Sequence, residues 1–96
     1  MSRPAPRPLS LALDGLSAAL APATTLARAQ GAWEGSVGPV IAAAGLPTAE
    51  HNGVLTVTCS DAVWSAELDL MGPELIERLN ARLGETLIHR LRCRTG

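Results

Sequence analysis

The chain has 96 residues, 47% of them hydrophobic, enough for one domain with a single core and not for two. Two cysteines are too few for a secreted disulfide scaffold, so a reducing cytoplasm is the expected setting. A formal net charge of -1 argues against strong, unselective nucleic-acid binding through overall charge.

That charge is unevenly spread. Arg3 and Arg7 lie in the first eight residues, residues 9–77 set Arg28 against eight acids, and residues 78–96 set five arginines against Glu85. Positive potential is therefore expected at the C-terminal end. All eight basic residues are Arg, which fits a GC-rich genome as well as a need for bidentate phosphate contacts. There is no Phe or Tyr, so Leu, Val, Ile and Ala must fill the interior around Trp33 and Trp64.

Residues 1–8, MSRPAPRP, hold three prolines and two arginines and predict a flexible or polyproline arm, with residues 9–96 as the folded domain. The apolar stretch Leu9–Ala21 follows two arginines in the manner of a signal peptide. Asp14 and Gly15 interrupt it, and it is too short for a membrane span. Leu9, Leu13, Leu16 and Leu20 recur at helical spacing, so it reads as an amphipathic helix ended by Pro22. Thr24 or Thr25 can cap a second helix carrying Leu26, Ala29, Trp33 and Val37 on one stripe. Gly38-Pro39 should break that helix before Val40–Ala44 resumes it, and Gly45 and Pro47 should end the run.

A short extended piece is expected over Pro47–Glu50, followed by His51-Asn52-Gly53, where Asn-Gly signals a hairpin turn. In the strand Val54–Cys59, Leu55, Val57 and Cys59 point one way and Val54, Thr56 and Thr58 the other, predicting one core face and one partly wet face. Ser60 or Asp61 can cap a helix that aligns Trp64, Leu68 and Met71; a strand over residues 63–70 fits the pattern as well. Gly72-Pro73 separates it from a last helix, Pro73–Leu83, with Leu75, Ile76, Leu79 and Leu83 on one side and Gly84 closing it. The expected fold class is α+β with element order ααββααβ and a small three-stranded sheet.

The last predicted strand, Leu87–Arg94, alternates Leu87, His89, Leu91 and Cys93 with Ile88, Arg90, Arg92 and Arg94. If the first set faces the core, three guanidinium groups project from one sheet face at intervals of about 6.6 Å, a row able to follow a phosphate backbone. The same row also serves an edge strand that must stay soluble and unpaired. Arg78 and Arg82 would extend the patch from the last helix, although Glu74 stands four residues before Arg78 as a surface ion-pair partner. The candidate nucleic-acid residues are thus Arg78, Arg82, Arg90, Arg92 and Arg94. Trp33, Trp64, Leu68 and Leu79 are the expected core anchors, because both Trp residues lie on apolar helical stripes.

Catalytic and metal constellations are thin. His89 and Cys93 would lie roughly 13 Å apart along a strand, too far to share an ion ligated at about 2 Å. No CxxC or HxxxH spacing occurs, and there is no nucleophile elbow, phosphate loop or zinc-protease helix. The sequence therefore predicts no metal, no cofactor and no enzyme. It also predicts no membrane association.

Four ordered stretches resemble the DciA family of bacterial replicative helicase loaders. They are Trp33-Glu34-Gly35-Ser36-Val37-Gly38, Gly53-Val54-Leu55-Thr56-Val57, Ala62-Val63-Trp64-Ser65-Ala66-Glu67-Leu68 and Leu79-Asn80-Ala81-Arg82-Leu83-Gly84. The resemblance implies a KH-like domain that contacts the DnaB-type replicative helicase and single-stranded DNA; the arginine row itself leaves weak contact with single-stranded DNA or RNA open. KH domains clamp the nucleic-acid backbone with a GXXG loop between paired helices. Here that position reads Met71-Gly72-Pro73-Glu74, without the second glycine, so clamping in that manner is not expected. This chain is slightly acidic and ends two residues after the last predicted strand. Helicase contact would then fall to the folded surface or the N-terminal arm, unless loading has been lost. A protein-interaction or dimerisation adaptor built on the apolar faces of the first two helices is the alternative.

Overall fold

A computed structural model describes residues 23–96, and the predicted arm over residues 1–8 and the predicted first helix lie outside the described residues. The described chain runs α1 (Thr25–Val37), α2 (Pro39–Ala44), β1 (Gly45–His51), β2 (Val54–Cys59), α3 (Ala62–Leu70), α4 (Gly72–Leu83) and β3 (Arg90–Thr95). The three strands form one sheet in the order β1-β2-β3. The fold is α+β, with helices, hairpin, helices and strand in the predicted sequence.

Local chemistry accounts for the boundaries. Thr24, rather than Thr25, caps α1, its hydroxyl accepting from the Ala27 amide at 3.0 Å. Gly38, at φ 91°, breaks the helical run where Pro39 begins α2. Asn52 and Gly53 both have positive φ, the requirement of the tight two-residue turn that joins β1 to β2. Asp61 caps α3, accepting from the Trp64 amide at 2.8 Å, and residues 62–70 are helical. Of the two patterns open in the sequence over 63–70, the helix forms because the cap fixes its first turn. Gly84 adopts the left-handed conformation that closes α4.

The core lies between the helices and one face of the sheet. Trp33, Leu55, Val57, Cys59, Leu68, Leu75, Leu79 and Ile88 are fully buried within it. Trp33, Leu68 and Leu79 are thus core residues, while Trp64 is half-buried against the cluster. The buried indole N–H of Trp33 donates to the Gly45 carbonyl at 2.8 Å, tying α1 to the start of β1.

Two extended segments differ from expectation. β1 begins at Gly45 instead of Pro47, because Gly45 is drawn into the sheet opposite Cys59 and held by Trp33. Pro47 is accommodated because β1 is an edge strand with a register shift between Pro47 and Ala49. β3 begins at Arg90 instead of Leu87. Asn80 of α4 accepts from the amides of Leu87 and Ile88 and donates to the Ile88 carbonyl, so residues 87–89 follow the helix and not a strand. Ile88 consequently enters the core and His89 is exposed, the reverse of the predicted alternation. Alternation holds from Arg90 onward, with Leu91 buried and Cys93 half-buried.

Candidate nucleic-acid interface

β2 pairs antiparallel with β1 and parallel with β3, so β3 returns on the same heading after α3 and α4. The register sets Arg90 beside Val54, Arg92 beside Thr56 and Arg94 beside Thr58. Leu55, Val57 and Leu91 face the core, which places the three arginines and the two threonines on the opposite, outer face. The Thr58 hydroxyl is 2.8 Å from that of Thr48 in β1. Thr48, Ala49, Thr56, Arg92 and Arg94 border an open depression of about 390 Å³ on this face.

The outer face carries no carboxylate among the described residues. Its paired positions are Leu46, Ala49 and His51 in β1, Val54, Thr56 and Thr58 in β2, and Arg90, Arg92 and Arg94 in β3. Glu50 lies in β1 but pairs opposite Leu55, on the other face, and accepts from the Gly53 amide; Asp61 caps α3, and Glu34, Glu67, Asp69, Glu74, Glu77 and Glu85 lie within the helices or the turn after α4. Two ion pairs occur among the described residues, Arg28 with Glu85 and Arg78 with Glu74. The three β3 arginines take part in neither. The near-zero net charge thus conceals a positive sheet face and a more acidic helical layer.

Arg78 and Arg82 do not join the β3 row. They border a groove between α1 and α4 with Gly35, Ser36 and Ala81. Arg78 is engaged by Glu74, and the Arg82 guanidinium lies so close over Gly35 that a Cβ there would collide with it. The five predicted arginines therefore divide into two groups on different parts of the surface. Helical spacing gave no warning of this, because the packing of α4 against α1 decides which way Arg82 turns.

The site has little equipment for chemistry. Burial pushes the Cys93 thiol up to about 11, with Cys59 and Asp69 adding to the shift, and burial likewise raises Cys59. Both are therefore poor nucleophiles at neutral pH. Among the described residues no group of three or more His, Cys, Asp or Glu is placed to hold a metal ion, and no helix is long and apolar enough to cross a membrane.

A family model described as "Dna[CI] antecedent, DciA" matches residues 8–93. The chain belongs to the DciA family. At the level of the family, DciA proteins are replication-associated helicase loaders. A UPF0232 protein of Mycolicibacterium smegmatis is 34% identical over 62 residues, which are 65% of this chain and 32% of that protein. UPF0232 proteins of Mycobacterium leprae and Mycobacterium tuberculosis are each 32% identical, over 65 and 62 residues, covering 68% and 65% of this chain and 34% and 33% of their own lengths. The chain thus spans about a third of the length of the curated relatives it matches.

Several residues in the DciA-like stretches have visible structural tasks. Trp33 binds the Gly45 carbonyl, Gly35 lies under Arg82, and Gly38 breaks the helix. Asn80 organises the approach to β3. Sequence reasoning passed over Asn80. Its signal was an amide on the helical stretch nearest a glycine-ended turn, where backbone groups need partners.

Proposed function

We propose that this chain is a non-enzymatic DciA-type module that binds the DnaB-type replicative helicase in the cytoplasm and contacts single-stranded nucleic acid weakly through Arg90, Arg92 and Arg94. The match to the DciA family over residues 8–93 carries the helicase part. The nucleic-acid part is supported by the carboxylate-free outer sheet face, where the arginine row runs beside Thr56 and Thr58. Guanidinium groups and hydroxyls suit phosphate oxygens. No Phe, Tyr or Trp stands in the paired positions of that face, where His51 at the rim is the one ring, so contact is weak and indifferent to sequence. Arg78 and Arg82 lie off this track and are not assigned to it.

The mechanism is positional. Holding helicase and strand at once raises their local concentration, with no bond made or broken in the module. A protein-interaction adaptor without nucleic-acid binding is the second reading, favoured by the exposed apolar side chains Val40, Leu46, Val63 and Leu70.

The decisive experiment is label-free binding of the purified chain to its host's replicative helicase at physiological salt, where micromolar or tighter affinity is expected. No detectable binding removes the helicase assignment. Retention of single-stranded DNA should weaken with salt with a logarithmic slope of about -2 for three phosphate contacts. Replacing Arg90, Arg92 and Arg94 together by Glu should abolish retention with the fold intact; unchanged retention removes these residues from the assignment, and no retention by the parent chain favours the adaptor.

A further inference from the structure

Among the described residues β3 is an edge strand, and its open side faces a cleft. The Arg90 amide donates to the Gly53 carbonyl, placing the backbone groups of Arg90 on the β2 side. In a parallel ladder successive residues turn their amide and carbonyl groups to opposite sides. Those of Leu91, Cys93 and Thr95 therefore point away from β2, into the open edge. α3 runs beside this edge, and Ala62, Ser65, Ala66 and Asp69 form the far wall of a cleft of about 300 Å³ against β3. The small side chains of Ala62, Ser65 and Ala66 leave room beside the strand. α3 also carries an outward apolar line, Val63 at 72% exposure, Ala66, and Leu70 at 80%, continuous with the cleft wall.

We propose that the β3 edge and the α3 wall form a docking site for an extended polypeptide in which acidic and small apolar residues alternate. An added strand satisfies the outward backbone groups of β3, as in strand-addition complexes. Its side chains then fall on two unlike surfaces. On the outer side they stand next to Arg90, Arg92 and Arg94, where carboxylates form favourable cross-strand pairs. On the inner side they meet Ala62, Ser65 and Ala66, where small apolar groups fit, and Asp69, which repels acid. A second copy of this chain is a poor occupant, because pairing β3 with itself sets one arginine row against another. Occupancy by such a peptide covers the charges proposed to hold nucleic acid, so the two ligands compete. The site goes beyond the helicase reading and does not depend on it.

The test uses the 96-residue chain, uniformly labelled for amide NMR, and capped peptides of alternating Glu and Val or of alternating Lys and Val. The Glu/Val peptide should shift resonances in Leu91–Thr95 and Ala62–Asp69 and protect the Leu91, Cys93 and Thr95 amides from exchange. The Lys/Val peptide should do neither. Ala66→Met, an exposed change on a helix and therefore compatible with folding, should fill the cleft and weaken Glu/Val binding about tenfold. Arg92→Gln should weaken it without moving the α3 resonances of the free protein. Equal binding of both peptides, shifts elsewhere on the surface, or indifference to Ala66→Met overturns the proposal. So does protection of the same three amides by oligothymidylate but not by peptide, which assigns the cleft to nucleic acid.

Discussion

The side-chain amide of Asn80, inside α4, donates to the carbonyl of Ile88 at 2.7 Å, and so joins the last helix to the segment that leads into β3. The same side chain accepts from the Leu87 and Ile88 amides at 3.1 and 3.0 Å. One residue thereby satisfies three backbone groups that no strand or helix serves. It also explains why Ile88, rather than a neighbour, enters the core.

Asn80→Ala removes all three bonds and leaves the Ile88 amide and carbonyl without partners, while the Leu87 amide keeps its 3.1 Å bond to the Glu85 carbonyl. A loss of about 2–4 kcal/mol is expected, measured by urea unfolding. Hydrogen exchange should localise the damage, with the Leu87 and Ile88 amides losing protection before the Val57 amide.

Trp33 has two separable contributions, ring burial and its bond to Gly45. Trp33→Phe keeps much of the ring but leaves the Gly45 carbonyl unpaired, which should cost about 1–3 kcal/mol. Trp33→Ala adds a cavity and should cost about 3–5 kcal/mol. Equal stability of Trp33→Phe and the parent in chemical denaturation would show that the bond contributes nothing.

Gly35 and Gly45 should respond oppositely to alanine. The atoms nearest a Cβ at Gly35 belong to the guanidinium of Arg82, the far end of a long exposed side chain that can swing into solvent, and the helix gains about 0.5–1 kcal/mol from losing a glycine. A Cβ at Gly45 lies 3.1–3.2 Å from Cys59 Sγ, Val57 Cγ1 and Leu68 Cδ1, all held in the core. That overpacking should cost about 1–3 kcal/mol. Thermal melts of the two variants give the comparison directly.

Alkaline pH should loosen the domain. In the folded chain Cys93 keeps its proton up to about 11, against 9.0 for an unperturbed thiol. The native state therefore binds more protons than the unfolded state above pH 9, and stability falls as pH rises from there through about 11. Cys93→Ala removes this titration and should flatten that part of the stability curve. The thiol should also alkylate slowly near neutral pH; rapid modification in the native state would contradict its burial.

Much of the fold was legible because the boundary signals are short-range. Asn52-Gly53 encodes its own turn, Asp61 its own cap, and Pro73 and Gly84 the ends of the last helix. The alternation of β2 also carried through, with Leu55, Val57 and Cys59 buried. Reading failed where a distant residue decides the backbone. Gly45 ends the helical run as its position suggested, but its second role as the first residue of β1 was not legible, because Trp33 and the sheet draw it in. Residues 87–89 looked like strand, yet Asn80 competes for their backbone groups. The same limit applies to the candidate site. The spacing of Arg90, Arg92 and Arg94 within one strand fixed their common face, while the direction of Arg82 depended on contact with Gly35 across two helices.

The parallel pairing of β2 with β3 also sets an order of assembly. The β1–β2 hairpin closes around two residues and can form early, whereas β3 can find β2 only after the intervening chain has folded back. Ring closure across α3 and α4 carries the larger entropic cost of the two strand pairings. During that delay the hairpin presents an unsatisfied central strand to other nascent chains. The three guanidinium groups of β3 would then work before the native state exists, by mutual repulsion that keeps the C-terminal strands of different copies from pairing with one another.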